Sequence, residues 1–329
     1  MQKILIIQTA FIGDVVLATG VLEKLHTIYP AAKIDFLLRK GNEGLLSGHP
    51  FLNKVLIWDK KGAKYQNLWK ILGQIRKEKY DLVVNLQRFA ASGILTGFSG
   101  ATLKYGYEKN PFSFLFTKSF PHPIGKKGDS SFQHETERNH ALIKDFTDSI
   151  ASRPRLYPAL SDFDIVSPYK TQPYITISPA SVWFTKQYPK EKWVALINTV
   201  PEQYTIFLTG GSGDKALCDL IKDASQNQNL INLAGKLSFL QTAALMKDAY
   251  MNYTNDSAPM HFASAMNASV TAVYCSTVPE FGFGPLSDVR RIAQISYDLD
   301  CRPCGLHGYN TCPKGHFKCA VDLDMTFEN

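Results

Sequence analysis

Asn255-Asp256-Ser257-Ala258-Pro259-Met260-His261 ends a run that reads as a strand (250–254) and opens one that reads as a helix. In a doubly wound α/β domain, a turn of this kind presents free backbone N–H groups to a phosphate at the helix N-terminus. A second such turn lies near the start, where Ile4-Leu5-Ile6-Ile7 leads through Gln8-Thr9-Ala10-Phe11-Ile12-Gly13 to Asp14. Two turns so far apart in one chain predict two nucleotide-fold domains facing across a cleft. One domain would hold a diphosphate and the other would offer a carboxylate.

Length agrees with this picture, since 329 residues suit about two domains, and 45% hydrophobic residues give each a core of its own. No apolar run approaches the roughly 20 residues of a membrane-spanning helix. The N-terminus reads as a strand rather than as a basic segment followed by an apolar one, so a cytoplasmic protein is expected. The net charge of +7 is modest, but Lys60, Lys61, Lys64, Lys70, Arg76, Lys77 and Lys79 thicken it locally. Such a run is either a solvated helix face or a surface that meets anionic lipid or phosphorylated sugar. No aromatic residues alternate with these charges in a known binding motif, so nucleic acid is not an expected partner.

Apolar, β-rich runs alternate with longer segments of helical period, the signature of parallel βαβ units. In the first half the strands fall at 3–7, 34–38, 55–58 and 82–86, with a helix over 15–29 whose Val15, Val16, Thr19, Leu22 and His26 share recurring faces. From 149 to 172 the pattern lapses around Pro154, Pro158 and Pro168, with Pro173 following, and this reads as the linker. The alternation restarts at 174–178, 205–209, 230–233, 250–254 and 270–274, which places the domains at 1–160 and 161–329. Residues 112–134, rich in Phe, Pro, Lys and Gly, read as a loop, either a lid or an ordinary surface connection.

Asp14 follows Gly13, which would let the backbone turn tightly before the first helix. A carboxylate there can cap the helix or meet its dipole. It can equally take a proton from a hydroxyl nucleophile. With one Gly, the turn lacks the G-x-G-x-x-G spacing of a dinucleotide site, which argues against a dehydrogenase. In the second half, Ser178-Pro179-Ala180-Ser181-Val182-Trp183-Phe184-Thr185-Lys186 follows a strand with hydroxyls and one ammonium, a combination suited to phosphate. Gly210 and Gly211 end another strand and allow close approach of a ligand, or simply a turn. Asp256, Ser257 and Ala258 form the expected diphosphate cradle, with His261 one turn into the helix as a phosphate contact or a structural histidine.

These segments resemble glycosyltransferase family 9, the lipopolysaccharide heptosyltransferases and their relatives. The resemblance rests on Phe11-Ile12-Gly13-Asp14, on Ser181 to Trp193 with Lys186 ahead of Tyr188-Pro189, on Gly210-Gly211, on Leu233-Ala234-Gly235-Lys236-Leu237-Ser238 and on the Asn255 to His261 block. Pro279-Glu280-Phe281 and Gly284-Pro285-Leu286-Ser287 belong to it as well. The resemblance implies a GT-B fold, with an acceptor-binding N-terminal domain and a C-terminal domain that binds a sugar nucleotide such as ADP-heptose. It implies inverting transfer of the sugar to a lipopolysaccharide core acceptor at the inner membrane face, with Asp14 as general base. Thr9 and Gly13 would belong to the acceptor-side turn. Lys186, Ser181, Thr185, Gly210, Gly211, Ser257 and Ala258 would serve the donor, Asp256 would touch the donor sugar or hold the turn, and His261 would support the phosphate. No catalytic metal is expected. Ala10 and Phe11 stand where some members carry serines, and Ala258 stands where many carry glycine.

The C-terminal segment carries Cys301, Cys304, Cys312 and Cys319 in C-x2-C-x7-C-x6-C spacing, with His307 and His316 nearby. Four thiols so close in a reducing compartment suggest a structural zinc site; disulfides, oxidisable thiols and packed free thiols are the other readings. Cys218 and Cys275 read as core residues.

Overall fold

The computed structural model describes residues 1–327. The chain divides into two units, one formed by Met1–Ile124 with Gln133–Tyr157 and the other by Gly125–Phe132 with Pro158–Asn329.

In the first unit β1 (Lys3–Ile7), β2 (Lys33–Arg39), β3 (Lys54–Trp58), β4 (Leu82–Asn85), β5 (Leu103–Tyr107) and β6 (Lys118–Phe120) form one parallel sheet in the order β3-β2-β1-β4-β5-β6. The helices are α1 (Ile12–Ile28), α2 (Lys64–Glu78), α3 (Ala90–Gly97) and α4 (Glu135–Ala141). Central strands covered on both faces need continuous apolar runs, and Ile4, Leu5, Ile6 and Ile7 are all fully buried. Helix α1 packs so closely that a Cβ at Gly20 would lie 2.6 Å from the Ser152 carbonyl oxygen, which explains the glycine in mid-helix.

The second unit repeats the plan. Its strands β7 (Tyr174–Ser178), β8 (Thr205–Leu208), β9 (Leu230–Asn232), β10 (Met251–Asn255), β11 (Val270–Val273) and β12 (Arg290–Ala293) are parallel in the order β12-β11-β10-β7-β8-β9. Around them lie α5 (Leu160–Val166), α6 (Lys190–Ile197), α7 (Lys215–Ala224), α8 (Phe239–Lys247), α9 (Ala258–Met266) and α10 (Lys318–Val321). Strand order reverses between β1 and β4 in one unit and between β7 and β10 in the other, and ligands bind at the carboxyl ends of strands flanking such reversals. Asp14 follows β1, Lys186 follows β7 and Asp256 follows β10, so all three stand beside a switch point.

Three strands go beyond the sequence reading. β6 is three residues long and β12 is a largely exposed edge strand, so neither shows the buried apolar run that marks a central strand. β5 is interrupted by Gly106, where a Cβ would lie 2.6 Å from the Phe116 ring. The expected linker at 149–172 contains α5, whose Val166 packs with Tyr174, Phe207 and Leu245. The segment 112–134 is not a plain loop: it contributes β6 to the first sheet, and Gly125–Phe132 belongs to the second unit, where Lys127 pairs with Asp298 at 2.6 Å. No helix among the described residues is long and apolar enough to cross a membrane.

Candidate active site

In the first unit the turn after β1 is held from three sides. Thr9 is buried and donates from Oγ1 to Gln87 Oε1 at 2.7 Å, while its carbonyl accepts from Lys60 Nζ at 2.7 Å. The Ala10 carbonyl accepts from Asn42 Nδ2 at 3.1 Å, and the Arg39 guanidinium lies over the Phe11 ring at 5.0 Å. Helix α1 begins at Ile12, so Gly13 has helical backbone in the first turn rather than the tight turn expected of it. Asp14 is half-buried, and its Oδ2 accepts the Phe11 N–H at 3.1 Å. The capping role is therefore realised, and it fixes the carboxylate at the carboxyl edge of the sheet.

In the second unit Lys186 Nζ lies 2.7 Å from Asp256 Oδ2, with both side chains largely buried. The same Oδ2 accepts from Thr277 Oγ1 at 2.6 Å. Helix α9 starts two residues later with Ser257 as N-cap and Pro259 in its first turn. Among the described residues, the N–H groups of Ser257 and Ala258 have no protein acceptor, whereas Asp256 N and Met260 N are bonded to Val273 O and Ser257 O. His261 is buried one turn further along. Asn255 ties the neighbouring loop to this point, accepting from Tyr188 N at 2.9 Å and donating to Pro179 O at 2.8 Å.

The other donor-side candidates sit in three different settings. Ser181 lies on the loop after β7, where its carbonyl accepts from Gln187 Nε2 at 2.8 Å. Thr185 is buried with its hydroxyl accepting from Tyr309 N at 2.8 Å and Ser276 Oγ at 3.1 Å, which commits it to the fold rather than to a ligand surface. Gly210 and Gly211 turn around Asp214: a Cβ on Gly210 would meet the Asp214 carboxylate at 2.9 Å, and Gly211 N donates to it at 2.8 Å.

Residues 68–309 match the family described as glycosyltransferase family 9 (heptosyltransferase). The chain belongs to this family. It is 30% identical over 282 residues to lipopolysaccharide heptosyltransferase 3 of Escherichia coli, covering 81% of this chain and 82% of that protein. Among solved structures it is similar to the E. coli ADP-heptose LPS heptosyltransferase II, with a TM-score of 0.77 at 22% identity, covering 92% of this chain and 96% of that one. It is similar also to the E. coli heptosyltransferase WaaC with ADP-2-deoxy-2-fluoro heptose, with a TM-score of 0.69 at 18% identity over 89% and 93% of the two chains. The protein is thus a glycosyltransferase, and its two doubly wound domains are those of the GT-B fold.

In this glycosyltransferase the cysteine tail packs against the loops that carry Lys186 and Thr277 in the second domain. Arg302 is buried and donates from Nη2 to the carbonyls of Thr277 at 2.8 Å and Tyr274 at 3.3 Å. Cys304 N donates to Ser276 O at 2.8 Å, and Gly308, at φ +78, lies so close that a Cβ would meet Thr185 Oγ1 at 2.9 Å and Lys186 Cγ at 3.1 Å. Thr277, Arg302 and Gly308 were not legible as site residues, because they reach the lysine and aspartate only through the fold.

The zinc expectation does not fit the geometry. Cys301, Cys304, Cys312 and Cys319, with His316, line one cavity of about 330 Å³, and all four are free thiols. Among the described residues no group of three or more His, Cys, Asp or Glu is arranged to hold a metal ion. Asp-x-Asp triplets do occur at Asp162, Asp298 and Asp322, but in each at least one carboxylate has a structural partner. Asp162 accepts from Ala159 N at 2.9 Å, Asp298 pairs with Lys127, Asp322 accepts from Tyr297 at 2.6 Å, and Asp324 pairs with Lys192 at 2.6 Å. Cys218 and Cys275 are core residues, both fully buried, and burial raises the pKa of each thiol well above its ordinary value.

Proposed function

We propose that this glycosyltransferase moves a heptose from ADP-heptose to a lipopolysaccharide core acceptor with inversion at the anomeric carbon. The observation that carries the reading is the second domain's anion cradle: two unbonded N–H groups at the start of α9 beside the Lys186 ammonium. The names of its relatives supply the sugar, since the first is a lipopolysaccharide heptosyltransferase and a structural neighbour was solved with an ADP-heptose analogue.

In this reading the diphosphate lies against Ser257 N, Ala258 N and Lys186, where preorganised donors stabilise the charge that develops as the leaving group departs, by several kcal/mol. Ser181, Gly210 and Gly211 border the donor, His261 supports the phosphate side of α9, and Asp256 holds Lys186 until the donor arrives. Asp14, in the first turn of α1 in the acceptor domain, takes the proton from the attacking acceptor hydroxyl. The enzyme works on the cytoplasmic side of the inner membrane, where both substrates are available. No step calls for a metal.

The test is transfer followed by mass spectrometry, with ADP-heptose and other sugar nucleotides offered to truncated lipopolysaccharide acceptors. A heptose-sized gain from ADP-heptose alone is expected. Asp14→Asn should bind donor normally and lose on the order of 10²–10⁴ in transfer rate. Transfer from a different nucleotide sugar would overturn the heptose assignment, and donor binding without transfer to any acceptor would mark a binding protein. Undiminished turnover in Asp14→Asn would remove that residue from the base role.

A further inference from the structure

Helix α2 presents aromatic and basic side chains to solvent. Its buried side is Leu68, Ile71, Leu72 and Ile75, which pack on the first unit's core. On one flank of its exposed side, in line with Arg76, Tyr65 and Trp69 stand one turn apart and are 74% and 60% exposed, while Lys70 and Lys77 occupy the side turned away from the core. Lys70, Arg76 and Lys77 are exposed, and none of these cations has a carboxylate partner among the described residues. The helix's one acid, Glu78, lies at its end and is engaged by Lys3 and Lys54. Just upstream, Asp59 is engaged by Lys40 at 2.9 Å, while Lys61 and Lys64 extend the positive surface.

Two exposed aromatic rings need not mean anything, since single apolar side chains are common on surfaces. Here Arg76 shares their flank, Lys70 and Lys77 adjoin it on the outward side of the same helix, and no carboxylate stands among them. Trp and Tyr, with an apolar body and one polar tip, are stable at the headgroup level of a bilayer, and lysine and arginine beside them meet anionic headgroups. A helix with one apolar face in the protein core and a basic, aromatic outward face can thus lie on a lipid surface without inserting across it.

We infer that the outward face of α2 docks the enzyme on an anionic phospholipid membrane, with Trp69 and Tyr65 in the headgroup layer and Lys70, Arg76 and Lys77 against lipid phosphates. Lipid is the occupant that this charge pattern favours over a protein partner: a flat array of phosphates matches cations spread over a helix roughly 22 Å long, with no defined pocket between them. The assignment does not depend on the sugar or the acceptor transferred.

The experiment is sedimentation of the full chain with vesicles of phosphatidylglycerol and, separately, of phosphatidylcholine, alongside tryptophan fluorescence. Binding is expected to phosphatidylglycerol only, to weaken as salt is raised, and to shift emission to the blue. Trp69→Phe should abolish that shift. Lys70→Glu combined with Lys77→Glu should weaken binding by on the order of tenfold or more, since each cation contributes about fivefold at such a surface. These side chains are exposed, so the thermal midpoint should stay at the wild-type value and report intact folding. Equal binding to both lipids, or unchanged binding in the charge-reversed variant, would overturn the inference. So would capture of a short RNA at a salt concentration where phosphatidylglycerol vesicles are ignored.

Discussion

The side-chain amide of Asn255 holds the Tyr188 backbone in place: its Oδ1 accepts the Tyr188 N–H at 2.9 Å while its Nδ2 donates to Pro179 O at 2.8 Å. Asn255 ends β10 and is fully buried, so one residue fixes both ends of the loop that carries Ser181 and Lys186. Asn255→Asp keeps the acceptor but turns a donor into an oxygen facing the Pro179 carbonyl. It should lower stability by about 2–3 kcal/mol, because a buried polar group loses its partner and a charge is added. Donor affinity should fall with it, read as an increased KM for the sugar nucleotide in protein still folded at the assay temperature. Normal donor KM in folded variant protein would separate this loop from donor binding.

Lys60 gives the turn after β1 a pH signature. Burial, reinforced by Arg39 and Lys64, lowers its pKa to about 8, whereas an unfolded chain keeps the lysine proton to about 10.4. Between those values the unfolded state binds more protons, so the penalty for the enclosed charge is full below pH 8 and is relieved as pH rises. Relative to Lys60→Met, the wild-type protein should gain about 1 kcal/mol between pH 7 and 9.5 after allowance for solvent screening. Urea unfolding at the two pH values measures it. A constant difference between the proteins, or one that moves the other way, would contradict the shift.

Glu135 anchors the buried polar cluster of the first unit. Burial by itself would raise its pKa, but His122 and Arg138 outweigh that and hold the carboxyl below its ordinary value. Glu135 Oε2 is 2.8 Å from Arg138 Nε and 3.0 Å from His122 Nε2. The depressed pKa contributes stability above the unfolded value that is lost as pH falls through the folded one. Glu135→Gln should cost about 3–5 kcal/mol by removing an enclosed carboxylate that pairs with both Arg138 and His122. Adding Arg138→Met should cost less than the sum of the two single changes, as expected for partners in one network. Strict additivity in chemical denaturation would argue against the pair.

The six cysteines should divide by burial when titrated with a thiol reagent in chelator-treated native protein. Cys218 and Cys275 are fully enclosed, and Cys319 is buried with a thiol pKa raised to about 12 by burial. Cys301, Cys304 and Cys312 are half-exposed. Three thiols should therefore react quickly and three only after unfolding. Rapid reaction of all six would mean that the tail is not packed as described, and fewer than three fast thiols would point to pairing among them.

The sequence by itself determined the architecture and the switch-point turns. Continuous apolar strands such as Ile4-Leu5-Ile6-Ile7 alternating with helical periods can satisfy their backbone and bury both faces only as parallel βαβ units, and those units place Asp14 and Asp256 at strand ends. Short or edge strands escaped because they lack that apolar run. What only the tertiary structure decided is which side chains meet. It joined Lys186 to Asp256 across 70 positions, brought Thr277 to the same carboxylate oxygen, and set Gly308 of the cysteine tail against Lys186. It also enclosed the Thr185 hydroxyl and left the four thiols without a metal-holding arrangement. Periodicity and propensity are local properties of the chain, whereas hydrogen bonds and ion pairs between distant loops depend on strand order and register, which are set when the whole domain packs.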